Sequence, residues 1–409
     1  MLRKPESRSW LALVALLATG CAVGQPAIPL DKFVAGDLEA VRTFAEHEVA
    51  SGAAENQALV LNVQAQCELL MGRSDEARRN FEHAGRIMGS WSTSGGEETA
   101  AILGSESSKT YKGDPYERAM NAFYLAFCYL VKGEPDNARA ACKRGILADA
   151  EVGDEKYQAD NALLFWMAGR MSRLMNSSDA DAADFFKEAT TANAFAVEHG
   201  ALGDADNKVL ADPARGNLVL VFECGMGPEK YADGLQHELA RFRPRPHPAV
   251  AARASLDGTP IGKAALLLDV DYQARTLGGT AMQGIRQGKA VFKTASTAAG
   301  IVLLDQASRN DGDKARTQAI VGGGLLLAGL FTSSAADTRH WPTTPATVHV
   351  LSVDATAGEH SLVVEFLDAR GAPIASMRQQ ATITVPPDGE AWYLFRSMPA
   401  SAGSAAARP

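Results

Sequence analysis

The 409-residue sequence lacks most of the short motifs that announce chemistry, and each absence narrows its function. Its 8 histidines are scattered, with no His-Glu-x-x-His, and its 5 cysteines form no Cys-x-x-Cys, so no metal site is expected. His47, between Glu46 and Glu48, reads as part of a solvated helix face. No Gly-x-Gly-x-x-Gly opens a strand–helix unit. Gly258-Thr-Pro-Ile-Gly262-Lys263-Ala264 is one residue short of a phosphate loop and lacks its Ser/Thr. Gly-x-Ser-x-Gly and Ser-x-x-Lys are also missing, so no acyl-transfer nucleophile stands out. No catalytic residue and no cofactor are expected. Lys and Arg total 40 against 48 Asp and Glu, a net charge of −8, and that balance offers no attraction to phosphates, which argues against nucleic acid as a partner. Neither Trp10–Thr19 nor the 12-residue run Ile320–Phe331 is long enough to cross a bilayer core of about 30 Å. At 46% hydrophobic and 22% charged, the chain nonetheless has the composition of a folded protein.

What is present begins at the amino end. Arg3, Lys4 and Arg8 precede the apolar run, which ends in Leu17-Ala18-Thr19-Gly20-Cys21. Positive charge, a short apolar core and small residues are the parts of a secretory signal peptide, expected over 1–20. Small residues leading into a cysteine look like a bacterial lipobox, which makes Cys21 the expected lipid anchor. Ala18 stands where Leu is commoner. Multiple acyl chains would hold Cys21 firmly to a membrane. Ala22 follows Cys21 rather than the Asp of inner-membrane retention, so the outer membrane, facing the periplasm, is the expected address. Residues 21–30 read as a short Pro-containing tether.

Residues 31–210 carry helical periodicity, with two matched stretches. Ala65, Glu68, Gly72, Ala77, Phe81 and Ala84 are spaced identically to Ala126, Tyr129, Gly133, Ala138, Cys142 and Gly145. The pattern is that of a tetratricopeptide-like repeat: small residues let two antiparallel helices approach, glycine sits at the turn, and a larger side chain fills the gap. A weaker third copy runs from Phe165 through Gly169 to Ala182, Phe186 and Ala189, and Phe33–Phe44 hints at another helix pair. Residues 86–115, rich in Gly and Ser, read as an insertion. Cys67, Cys128 and Cys142 lie in apolar helical patterns and are expected in the core, with Cys128–Cys142 the one pair to test as a disulfide.

From 211 to 397 the texture becomes α+β. Strands are expected at Leu218–Phe222, Ala265–Asp271, Ala346–Leu351, Ser361–Phe366, Ala381–Val385 and Ala391–Phe395, with a helix over 279–308. Turn signals at Thr356–Gly358 and Asp368–Gly371 fit a hairpin meander. The Gly-rich apolar run Ile320–Phe331 reads as a tightly packed core helix, and residues 398–409 as a disordered tail. Arg241-Phe-Arg243-Pro-Arg245-Pro-His247 is a basic, Pro-rich loop.

Three segments resemble a family of bacterial outer-membrane lipoproteins with tetratricopeptide-like N-terminal halves: Tyr111-Lys-Gly113 with Tyr116-Glu117-Arg118, Glu223–Lys230, and Ala336–Trp341 with Ala357–His360. The resemblance implies this address and architecture and no enzymatic activity. Asp337, Arg339 and Trp341 are the best local candidate for something specific. A guanidinium can fork onto a carboxylate and an indole can stack, so they read either as a polar-ligand site or as a buried pair pinning the entry to the sheet. Together these readings describe a non-enzymatic scaffold. Its repeat groove would take an extended segment of an envelope protein, and the alternative is a module binding an envelope polymer or small ligand through the C-terminal half.

Overall fold

The computed structural model describes residues 23–89, 110–149, 160–175, 179–234, 237, 239–277 and 336–399. The helical half comprises α1 (Leu30–Val34), α2 (Leu38–Ser51), α3 (Gln57–Leu70), α4 (Ser74–Gly89), α5 (Pro115–Val131), α6 (Pro135–Asp149), α7 (Ala162–Leu174), α8 (Asp179–Glu198) and the short α9 (Lys208–Ala211). Each helix from α2 to α8 packs chiefly on its neighbours in sequence. The two matched stretches end their first helices alike. Gly72 at φ +77° and Gly133 at φ +71° adopt the left-handed conformation that glycine tolerates, while Arg73 N–H and Glu134 N–H reach back to the carbonyls of Glu68 and Tyr129. The small residues lie at contacts where a larger side chain would collide. A Cβ on Gly145 would sit 2.8 Å from that of Ala122, and one on Gly169 would sit 2.5 Å from the Phe186 ring. Asn161 caps α7 by accepting from Leu164 N–H at 3.2 Å, a contact worth about 1 kcal/mol.

The strands are β1 (Leu218–Cys224), β2 (Glu229–Asp233), β3 (Leu239–Arg243), β4 (Ala251–Leu256), β5 (Thr259–Lys263), β6 (Ala265–Asp269), β7 (Thr347–Val353), β8 (Gly358–Leu367), β9 (Gln379–Val385) and β10 (Ala391–Arg396), with α10 (Val270–Leu277) after β6. One sheet has the order β10-β1-β7-β6, the other β5-β4-β8-β9, and β2 pairs with β3 as a separate hairpin. β10 runs parallel to β1, whereas the other paired strands are antiparallel. The expected meander is therefore corrected. Only β8 and β9 form a hairpin of that series, because β7 pairs with β1 and β6, and β10 returns to the far side of β1.

Period-two alternation explains how the layers stack. Val219 and Val221 of β1, Val348 and Val350 of β7, and Trp392 and Leu394 of β10 join the core of the helical half. The intervening Leu218, Leu220, Phe222, Tyr393 and Phe395 meet Ala252, Leu362, Val364, Phe366 and Ile383 of the second sheet. The result is three layers: helices, mixed sheet, antiparallel sheet. Nearly every residue of α3, α5 and α7 is buried, because these helices lie between their hairpin partners and the mixed sheet. The inner faces of these three helices are thus covered by the chain's own mixed sheet.

Cys67, Cys128, Cys142 and Cys224 are free thiols, all buried, so Cys128 and Cys142 form no disulfide. The expected helix over 279–308 and the run Ile320–Phe331 lie outside the described residues, as do most of the expected insertion at 86–115, Cys21 itself and the tail from 400.

Candidate functional site

Asp337, Arg339 and Trp341 come together in the loop that enters β7. Arg339 is 1% exposed. Its Nε donates to Asp337 Oδ1 at 3.0 Å and its Nη2 to Oδ2 at 2.7 Å. Its Nη1 reaches Asn56 Oδ1 at 3.2 Å and the Glu55 carbonyl at 3.3 Å. The guanidinium also lies over the Tyr111 ring, 5.8 Å from its centroid. Trp341 is fully enclosed, its indole packed against Phe81 and Tyr124, which leaves no open face for a ligand to stack on. Its backbone N–H donates to Glu117 Oε1, and its Nε1–H donates to Thr343 Oγ1 at 2.9 Å.

The cluster opens into a buried polar chain between helices and mixed sheet. Thr343 Oγ1 donates to Gln66 Oε1 at 2.6 Å, and Gln66 Nε2 donates to the Tyr124 hydroxyl at 2.7 Å. That hydroxyl donates to Glu223 Oε1 at 2.5 Å, whose other oxygen accepts from Arg396 Nη1 at 3.0 Å. Arg396 Nη2 donates to the carbonyls of Gly225, Thr343 and Thr344 at 2.9–3.2 Å. Glu223 and Arg396 are 0% and 3% exposed, so this ion pair is removed from water.

Glu117 is a second node. It sits in the first turn of α5, where its Oε2 accepts from Asp114 N–H at 2.7 Å while Asp114 binds Lys230 Nζ at 2.6 Å. Burial and the Asp114 charge push the Glu117 carboxyl up to about 7. Burial works against the Lys230 charge, but the carboxylates of Asp114 and Glu117 outweigh it and raise its pKa. Sequence reasoning missed Gln66, Glu117, Tyr124, Glu223 and Arg396. For Glu223 and Arg396 the signal was there, a charged group closing an apolar run in Leu218-Val-Leu-Val-Phe-Glu223 and Ala391-Trp-Tyr-Leu-Phe-Arg396, whereas Gln66 and Glu117 lie among other polar residues and carry no such signal.

Among the described residues, two clefts are wide enough to consider. One, of about 350 Å³, lies where the two sheets part, between Asn207, Lys208, Val250, Lys263 and His349. His349 contacts Thr347 Oγ1 at 2.9 Å, and burial, helped by the Lys263 charge, pushes its pKa down to about 3, so it is neutral at pH 7. The other, of about 250 Å³, lies in the helical half between Gly85, Met88, Arg118, Asn121, Arg144 and Leu147. Arg144 Nη2 donates to Asn121 Oδ1 at 2.8 Å, and Leu147 is 67% exposed beside it.

Among the described residues, no group of three His, Cys, Asp or Glu side chains is placed to hold a metal, and no helix is long and apolar enough to cross a membrane. No protein-family model matches the chain, and no curated protein matches it.

Proposed function

We propose that the chain is a lipid-anchored protein of the bacterial outer membrane, facing the periplasm, that acts as a protein-interaction scaffold in the cell envelope. The address rests on the Arg3–Arg8 charge, the apolar run and the Leu17–Cys21 pattern, which together make lipidated Cys21 the membrane contact. The helix pairs α3/α4, α5/α6 and α7/α8 are read as tetratricopeptide-like repeats, supported by the shared positive-φ glycines and by the buried Ala65, Ala77, Ala126 and Ala138.

One observation carries the scaffold reading. The charged groups of the candidate cluster are engaged in holding the chain's own layers together, which suits a rigid platform better than a reacting site. Because the mixed sheet covers the inner faces of α3, α5 and α7, a partner segment would seat on the cleft beside Leu147, where an exposed apolar side chain adjoins Arg118 and Arg144. A photo-crosslinking amino acid at Leu147 is expected to capture a protein in native envelopes, and one at Thr259 is not. Adducts to glycan alone, or equal capture at both positions, would refute the scaffold. Metabolic labelling with a palmitate analogue tests the anchor: the wild type takes up label and Cys21→Ser does not.

The 350 Å³ cleft favours a second reading, a binding module for a small anionic ligand or envelope polymer in the C-terminal half, with Lys208 and Lys263 at its rim. Calorimetric titration with envelope glycans that detects binding lost in Lys263→Glu would favour it over the scaffold.

A further inference from the structure

The segment read as a short Pro-containing tether is docked from Gly24 onward. Gly24 offers its carbonyl to Asn56 Nδ2 at 3.0 Å. The Gln25 side chain brackets the backbone of His340, donating from Nε2 to its carbonyl and accepting from its N–H, both at 2.9 Å. Ile28, 8% exposed, and Phe33, 1% exposed, then enter the helical core. The ground on which Gln25 docks is itself held in place. Asn56 also accepts from Arg339, and Arg245 reaches His340 Nε2 at 3.2 Å and the Pro342 carbonyl at 3.4 Å. The Asp337–Trp341 cluster therefore fixes the place where the amino-terminal segment leaves the body.

Only Ala22 and Val23 separate Cys21 from Gly24. Three fully extended residue steps span about 10 Å at most. Resting on the reading of Cys21 as the lipidated residue, we propose that the body lies directly against the bilayer on the face around Gly24, Gln25 and the Ser51–Ala54 corner, in one preferred orientation. The neighbouring hairpin does not supply a bare basic patch for anionic headgroups, since Arg243 pairs with Glu229 at 2.8 Å and Arg241 with Asp233 at 3.6 Å. The short docked tether sets the orientation, and a zwitterionic bilayer suffices.

The test uses chain 21–409 with Cys21 coupled to a maleimide-headgroup lipid in phosphatidylcholine vesicles. The other four cysteines are buried, and burial pushes their thiols up, so they do not compete. A fluorescent amino acid is placed at exposed Ala53, beside the docking site, or at exposed Ala183 on α8, the last long helix of the series. Energy transfer to a headgroup-labelled acceptor lipid is expected to be greater from Ala53. Inserting ten Gly/Ser residues between Val23 and Gly24 adds a flexible reach of roughly 17 Å and is expected to abolish that excess. Gln25→Ala is expected to reduce it. Equal transfer from the two positions at native tether length, or an excess that survives the insertion, overturns the proposal. Because the lipid is attached chemically, a failure of palmitate labelling in cells would refute the anchor reading without touching this result.

Discussion

The two faces of β1 are built on different chemistry. Toward the second sheet it presents Leu218, Leu220, Phe222 and Cys224, and the joint they enter is an apolar core centred on Phe222, Phe366 and Phe395. Toward the helices it presents Val219, Val221 and Glu223, and the last of these anchors a buried chain through Tyr124, Gln66, Thr343 and Arg396. Burial of apolar area stabilises without direction, at about 25 cal/mol per Å². A buried ion pair stabilises little by comparison, because desolvation offsets attraction, but it penalises any register that breaks it. The dry joint therefore holds the sheets together, and the polar joint determines where helices and sheet meet.

The largest expected effect comes from breaking that polar joint. Arg396→Ala leaves Glu223 charged and enclosed and strips a donor from three carbonyls, with an expected loss of about 3–5 kcal/mol in denaturant unfolding. The paired replacement Glu223→Leu with Arg396→Met is expected to recover most of it while broadening amide spectra at the joint. A single mutant costing below about 1 kcal/mol would end the distinction between the two faces. Next comes crowding in the helical half: Gly169→Ala drives a methyl into the Phe186 ring, an expected cost of about 1–3 kcal/mol. Smaller still is Ile383→Val in the dry joint, about 0.5–1.5 kcal/mol by the same unfolding measurement. If it matched Arg396→Ala, the second interface would be as register-sensitive as the first.

The same contrast explains which parts of the fold could be read from sequence. The helix pairs were legible because their contacts are local. Small residues three to five positions apart, and a glycine at the turn, specify close approach between neighbours along the chain. Among the described strands, β2 to β5 were not legible, with Arg241–Arg243 of β3 reading as part of a loop, whereas β1 and β6 to β10 were legible from their apolar patterns. Their order was not, since β1, β7 and β10 carry similar apolar patterns and any could pair with any other. The parallel return of β10 beside β1 and the seating of α5 on the mixed sheet depend on contacts between residues 99 or more positions apart. A buried Asp337–Arg339 pair was one of two readings that the spacing allowed, but Asn56, another side-chain acceptor of Arg339, lies 283 residues away and carries no local signal.

The smallest expected effect in the native chain is a pH dependence in which buried carboxyls and buried histidines oppose each other. Burial pushes Glu117 and Asp271 up to about 7 and Asp160 up to about 6, with Asp149 raised by burial and by the Asp160 charge. The folded chain keeps these protons where the unfolded chain, with ordinary carboxyls, has released them. Their stabilisation is present at low pH and is lost as pH rises through about 6–7. On the other side, burial pushes His340 down to about 4 and His349 down to about 3. The unfolded chain takes up these protons below the ordinary histidine value of 6.5 and the folded chain does not, so their contribution is lost as pH falls from there toward 3–4. Between about pH 4.5 and 6.5 the two slopes have opposite sign, so the histidines offset part of the fall in melting temperature that the more numerous carboxyls impose as pH rises. Single substitutions unmask each side. With Asp160→Asn, which removes one proton-retaining group and relieves Asp149, the fall of stability with pH across this window is expected to become shallower. With His349→Gln, stability is expected to fall with pH across the same range. Identical pH profiles for the two variants would mean that neither interior imposes these shifts, and the electrostatic half of the comparison would fail while the packing half stood.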